Sequence, residues 1–286
     1  MTRVDEARAR ALVERLLDQG VVGWQAQSGF ASNTVATATL ASGDRVVFKA
    51  ADPHEVAVEA WALRSVAQIG LPVPELLTAS TSGTGYLLTR FVTGAPGVPT
   101  TDDATRAGDL LREVHRLPVT GAGFFKEGAP PPPAAPAGSW AEVVAETGER
   151  LAPLVEAGVL TPVLARRCRR VLEDRPRWDQ PVVFVHGDLH QRHLLGLGTS
   201  SEAVIDWADC GAASPWLDLA RLDLGDRFRR AFLTAYFEGQ VPSDAEREID
   251  AHQLLHQLLA LVWEHEGGGD WLHERVPGIE LALRRL

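Results

Sequence analysis

The spacing of apolar residues divides the chain into a strand-rich beginning and a helix-rich remainder. From Asp5 to Asp18, Leu12, Val13, Leu16 and Leu17 share one face of a charged segment, which predicts an amphipathic helix. Thr34 to Leu40 alternates, Ala41-Ser42-Gly43-Asp44 turns, and Arg45 to Ala50 returns, a strand–turn–strand pattern. Asp52-Pro53-His54-Glu55 then opens a helix. Asp52 can cap it, Pro53 suits the first helical position, and Glu55 stands three residues after the cap. Gly70 stops that helix. Tyr86 to Val92 reads as a strand, broken by Thr93-Gly94-Ala95-Pro96-Gly97. Beyond it the period is mostly helical, over 101–116, 139–157, 161–173, 228–236, 243–263 and 277–284. Two short apolar runs interrupt it, Val182-Val183-Phe184-Val185 and Ala203-Val204-Ile205, and Ala129 to Pro136 is a proline-rich spacer. The pattern predicts an α+β chain: residues 1–93 an antiparallel-sheet lobe with one key helix, residues 94–286 a mostly α-helical lobe.

Charge narrows the partners. A formal net charge of −10 argues against nucleic acid, which calls for a basic patch. An acidic surface suits a cationic small substrate, and it also serves solubility. The two cysteines, Cys168 and Cys210, form no spaced framework. With no apolar leader and no run of membrane-spanning length, a cytoplasmic setting without a membrane partner is expected.

The two interrupting runs carry the chemistry. The first leads into His186-Gly187-Asp188-Leu189-His190, the second delivers Asp206, and the two acids stand eighteen residues apart. Phosphoryl transfer needs a carboxylate to orient the acceptor hydroxyl and take its proton. It also needs a carboxylate for a hard cation, and a fixed ammonium for the α/β-phosphates. Asp188, Asp206 and Lys49 supply these in chain order, and Glu59, amid apolar residues on the first long helix, could hold Lys49. Ser28 to Val35 is either a tight hairpin or a loop with backbone N–H groups facing an anion; residue type leaves both open.

At these positions the chain resembles the aminoglycoside phosphotransferase-like small-molecule kinases of the protein-kinase-like superfamily. His186-Gly187-Asp188-Leu189-His190 with Val204-Ile205-Asp206-Trp207 is similar to the family's catalytic signature. Gly29 to Asn33, Val47-Phe48-Lys49, Glu59 to Leu63, Leu87 to Gly94, Leu110 to His115 and Pro215 to Ala220 follow in family order. The resemblance implies a bilobal kinase-like fold with ATP or GTP in the cleft, Mg2+ or Mn2+, and a small hydroxylated acceptor. It implies Asp188 as catalytic base and Asp206 with His193 as the metal positions. Lys49, Glu59, Ser32, Asn33 and the hinge residues Arg90, Phe91 and Val92 would serve the nucleotide. Asp218 would brace the catalytic loop. The family spans antibiotic kinases and ketosamine, choline and homoserine kinases. The acidic balance and the C-terminal stretch favour an antibiotic as acceptor, aminoglycoside-like or otherwise cationic, and the protein is expected to be a monomer or homodimer.

His193 departs from the pattern, because the template has Asn five residues after the base. Imidazole is a poor magnesium ligand and a better one for manganese or zinc. Two rivals follow. One is a nucleotide-binding pseudokinase working as a regulatory module. The other is a zinc site of His186, His190, His193 and Asp188, which matches no zinc spacing and leaves Lys49 and Glu59 idle. His252 and His256 lack the glutamate of a zinc helix, with Gln253 in its place, and read as an ordinary helix face. Asp209 reads as a turn acid. Glu264, Glu266, Asp270 and Trp271, around a triple glycine, could receive a cationic substrate, or could mark a helix end with a glycine stop.

Overall fold

The computed structural model describes residues 4–27, 34–130, 132–222, 224–269 and 272–286. Helix α1 (Glu6–Leu17) starts where Asp5 accepts from the N–H groups of Ala7 and Arg8. It covers one face of a five-stranded antiparallel sheet, β1 (Val21–Gln27), β2 (Thr34–Leu40), β3 (Arg45–Ala51), β4 (Leu76–Ser80) and β5 (Gly85–Arg90). The strand order is β1-β2-β3-β5-β4. The two-residue period of a strand divides β3 between faces. Val46, Phe48 and Ala50 join Ala9, Val13, Leu40 and Leu88 under α1. Val47 and Lys49 point to the opposite face, where Lys49 lies between Val35 on β2 and Leu87 on β5. Strand β4 was not expected; its Leu-Leu-Thr-Ala-Ser sequence does not alternate, and it is half-buried at the sheet edge.

Helix α2 (Pro53–Gln68) begins as predicted, with Asp52 accepting from His54 N–H at 2.8 Å and Pro53 in the first turn. It serves both lobes. Val56 packs with Ala51 and Leu87 of the sheet. Val58, Ala62, Leu63 and Val66 join the core of the second lobe, and Trp61 sits edge-on to Phe125 and Phe184, centroids 5.3 and 5.6 Å away.

The second lobe holds α3 (Thr101–Val114), α4 (Trp140–Glu149), α5 (Leu151–Glu156), α6 (Pro162–Leu172), α7 (Arg175–Trp178), α8 (Trp216–Arg221), α9 (Asp226–Tyr236), α10 (Ala245–Glu266) and α11 (Leu272–Arg285). Among them lie a small sheet, β6 (Gly123–Phe124), β7 (Val183–Val185) and β10 (Gly211–Ala213), and a pair, β8 (Leu194–Leu195) with β9 (Ala203–Val204). Helices α3 and α9 touch at Gly108, where an added Cβ would lie 2.4 Å from Phe232 O. Helix α10 is the central pillar, its leucines buried along most of its length.

Three boundaries differ from the periodicity. The segment 139–157 breaks at Arg150 into α4 and α5. Helix α10 continues past Trp263 through Glu266 and ends at Gly267, so the glycines act as a helix stop. Helix α11 starts at Leu272, and Pro277 lies inside it, at the cost of one helical bond. Among the described residues no helix is long and apolar enough to cross a membrane.

Candidate active site

Strand β3, helix α2 and the chain after β9 meet at one ammonium. Lys49 Nζ lies 2.7 Å from Glu59 Oε2 and 2.9 Å from Asp206 Oδ1. Burial would lower the Lys49 pKa; Glu59 and Asp206 outweigh it and keep the ammonium charged well above its usual range. Burial would likewise raise Asp206, but Lys49, then His193, holds its carboxyl down to about 2. Asp206 adopts a left-handed backbone, φ 66°, uncommon for a residue with a side chain.

Buried side chains tie the loop after β7 to the rest of the site. Asp218 on α8 is fully buried and accepts from the N–H groups of His186 at 2.7 Å and Gly187 at 2.9 Å. His115 Nε2 reaches the same carboxylate at 3.2 Å, while its Nδ1 meets the Tyr236 hydroxyl at 2.7 Å. His186 joins the two acids' segments: its Nε2 lies 2.9 Å from Ile205 O, and its Nδ1 accepts from Asp188 N–H at 3.3 Å. Gly187 has φ 84°, and a Cβ there would meet Asp209 O at 1.9 Å. Only glycine lets the loop turn this close to its neighbour.

Asp188 itself is engaged by a residue that no motif in the chain singles out. Arg221, at the end of α8, places Nε and Nη2 each 2.8 Å from Asp188 Oδ1. His256 on α10 brings Nε2 within 3.9 Å of the same oxygen. Burial opposes the charge, but Arg221, then His256 and His193, keeps the Asp188 carboxyl below its usual range. His193 donates through Nδ1 to Asp188 O at 2.8 Å and turns Nε2 toward Asp206 Oδ2 at 3.6 Å. Burial, then His186, lowers the His193 pKa. One donor atom each from Asp188, His190 and His193 falls within 4.8 Å of the others. Both His190 nitrogens, however, meet Arg192, and both His186 nitrogens bind backbone.

Lys49, Glu59 and Asp206 line a slot of about 180 Å3 with Val35, Leu87 and Ile205. Arg90, Phe91 and Val92 border the same slot, although the Arg90 side chain turns outward to Glu75 at 2.7 Å. Ser32, Asn33, Asp270 and Trp271 lie outside the described residues. Glu264 and Glu266 stand on the last turn of α10, and Glu266 is already paired with Arg150, Nε to Oε1 3.0 Å. Asp209 is more than a turn acid: Lys126 bonds it at 2.6 Å and lies 4.1 Å over the Trp263 ring. No local signal marks Arg221 or Lys126, and the spacing of His256 from His252 points to a helix face and not to Asp188. Each is a single polar residue in an amphipathic or loop segment, given its role by a partner distant in sequence.

A five-stranded lobe against a helical lobe, with a Lys–Glu pair facing two loop acids across a cleft, defines a protein-kinase-like fold. The model of a family described as the phosphotransferase enzyme family matches residues 24–252, and the chain belongs to that family. It is a phosphotransferase of the small-molecule kinase type. No curated protein matches the chain. Among solved structures it is similar to the GDP complex of aminoglycoside 2'-phosphotransferase-IIIa, at 16% identity and TM-score 0.74 over 98% of this chain and 99% of that one. It is also similar to a macrolide 2'-phosphotransferase from Brachybacterium faecium, at 19% identity and TM-score 0.70 over 96% and 97%. A choline/ethanolamine kinase family protein from Mesorhizobium loti matches at 20% identity and TM-score 0.69 over 98% and 94%. These likenesses show the fold.

Proposed function

We propose that the chain transfers the γ-phosphate of ATP or GTP to a hydroxyl of a small molecule. The observation that carries this is Lys49, held by Glu59 from α2 and facing Asp206 across the cleft, with the Asp188 backbone tied to Asp206 through His193. In this reading Lys49 holds the α/β-phosphates, and the slot beside Phe91 and Val92 takes the base. The Asp188 carboxylate orients the acceptor hydroxyl and takes its proton as that oxygen bonds to the γ-phosphorus. The bond to the β–γ bridging oxygen breaks, and the nucleoside diphosphate leaves.

The donor set fits a divalent cation. Asp206 Oδ2 and His193 Nε2 face each other at 3.6 Å, and the Nδ1 bond to Asp188 O leaves Nε2 as the lone-pair nitrogen. A bound cation offsets phosphate charge, and an imidazole in its shell favours manganese over magnesium. Nucleotide turnover measured with Mg2+ and then Mn2+, across antibiotic and metabolite alcohols, tests the reading. The regulatory-module reading has one observation on its side, the Arg221 clamp on Asp188. Tight nucleotide binding with no transfer to any acceptor or to water would decide for it.

A further inference from the structure

A second cleft opens behind the base. It measures about 260 Å3 and lies between the end of α8 and helices α9, α10 and α11. Among the described residues its polar walls are Arg221, Arg229, Arg285, His256, Gln253 and Gln257, and none of these is a carboxylate. Two of these walls, Arg221 and His256, are the residues that reach Asp188 Oδ1. Arg221 and His256 therefore stand between this cleft and the base.

Arg229 meets Glu246 at 3.1 Å, and Arg285 meets Asp250 at 3.6 Å and Gln253 Oε1 at 3.4 Å, each ion pair having one exposed partner. Exposed pairs of this kind are weak and leave most guanidinium donors for other acceptors. Burial lowers the His256 pKa to about 3, Arg221 presses the same way, and Asp188 opposes them. Of the C-terminal acids expected to receive a cationic acceptor, Glu266 is paired with Arg150. A polycation entering here would meet like charge.

Resting on the phosphotransfer reading above, we propose that the acceptor is a hydroxylated oxyanion, a small molecule carrying a carboxylate or phosphate, and that Arg221 receives its anionic group. In the free chain Arg221 spends Nε and Nη2 on Asp188 Oδ1. A guanidinium matches a carboxylate or phosphate in a two-pronged contact, so an anionic acceptor competes for it. When Arg221 turns to the acceptor, Asp188 is released to accept the hydroxyl hydrogen bond. Recognition and activation of the base are then one event. Water and neutral alcohols, which cannot draw Arg221 away, meet a clamped carboxylate.

The test uses a panel matched in hydroxyls and differing in charge: glucitol, glucosamine, gluconate and glucose 6-phosphate. Binding is read by calorimetry with the nucleotide slot saturated by ADP, and transfer by ADP release from ATP. Gluconate, glucose 6-phosphate or both are expected to exceed glucitol and glucosamine by about tenfold or more in each assay. A response to gluconate alone identifies a carboxylate ligand, and one to glucose 6-phosphate alone a phosphate ligand. Arg221→Ala is expected to erase the gap and raise ATP hydrolysis by water, and Arg221→Lys to restore part of it. Absence of any charge-dependent gain in binding overturns the proposal, as does a gap that survives in Arg221→Ala. Charge-selective binding in a chain that transfers phosphate to no alcohol of the wider antibiotic and metabolite screen, nor to water, leaves the anion site standing and sinks the phosphotransfer reading instead.

Discussion

At the scale of single residues, Asp188 is held by what surrounds it rather than left free. Its carboxylate sits under Arg221 and near His256, and its backbone carbonyl takes the His193 ring proton. Asp188→Asn keeps the shape and removes the base; kcat is expected to fall by roughly 10²- to 10⁴-fold with nucleotide Kd unchanged. A variant with wild-type turnover would remove Asp188 from that role. His193→Asn restores the oxygen donor of the kinase template, so the ratio of turnover with Mg2+ to turnover with Mn2+ is expected to rise. An unmoved ratio would take His193 out of the metal shell.

At the scale of elements, α8 supports the loop that carries the base. Asp218 binds two backbone N–H groups and His115 from a fully buried position. Asp218→Ala leaves those donors without their acceptor, and stability is expected to drop by about 3 kcal/mol or more. Turnover should fall with it although Asp218 faces no substrate, and paired measurement of denaturant midpoint and kcat checks both. The start of α2 is a smaller device. Asp52→Ala, which loses the cap on His54, is expected to cost about 1 kcal/mol by the same unfolding measurement.

At the scale of the molecule, buried imidazoles make stability depend on pH. His252 is fully buried against Trp178, centroids 4.9 Å apart, and burial lowers its pKa from 6.5 to about 3; His256 behaves alike. A base whose folded pKa lies below its unfolded one gains its proton on unfolding, so acid favours the unfolded chain. Stability is therefore full above about pH 6.5 and is lost as pH falls from there toward 3. Asp206, about 2 when folded against 3.8, adds a loss in the same direction at still lower pH. The urea midpoint is expected to be lower at pH 5 than at pH 8, with a shallower slope in His252→Gln. Equal midpoints in the native chain would contradict the assignment.

What the amino-acid sequence determined by itself was local. Alternation across β2 and β3 put Lys49 on one face, Asp52-Pro53 set where α2 begins, and two apolar runs delivered Asp188 and Asp206 to strand ends. These are read from neighbours a few residues apart, because strand pleat, helix turn and cap act over that range. The Lys49–Glu59 contact was half legible: an acid amid apolar residues calls for a buried cation and Lys49 was the candidate, but a solvated Glu59 fitted the same pattern. What tertiary structure alone decided were pairings between distant segments. Arg221 lies thirty-three residues from Asp188 and His256 sixty-eight, and both arrive because α8 and α10 pack beside the loop. Those contacts follow from how helix faces bury against one another, and no periodicity along the chain records which polar side chain ends up beside which acid.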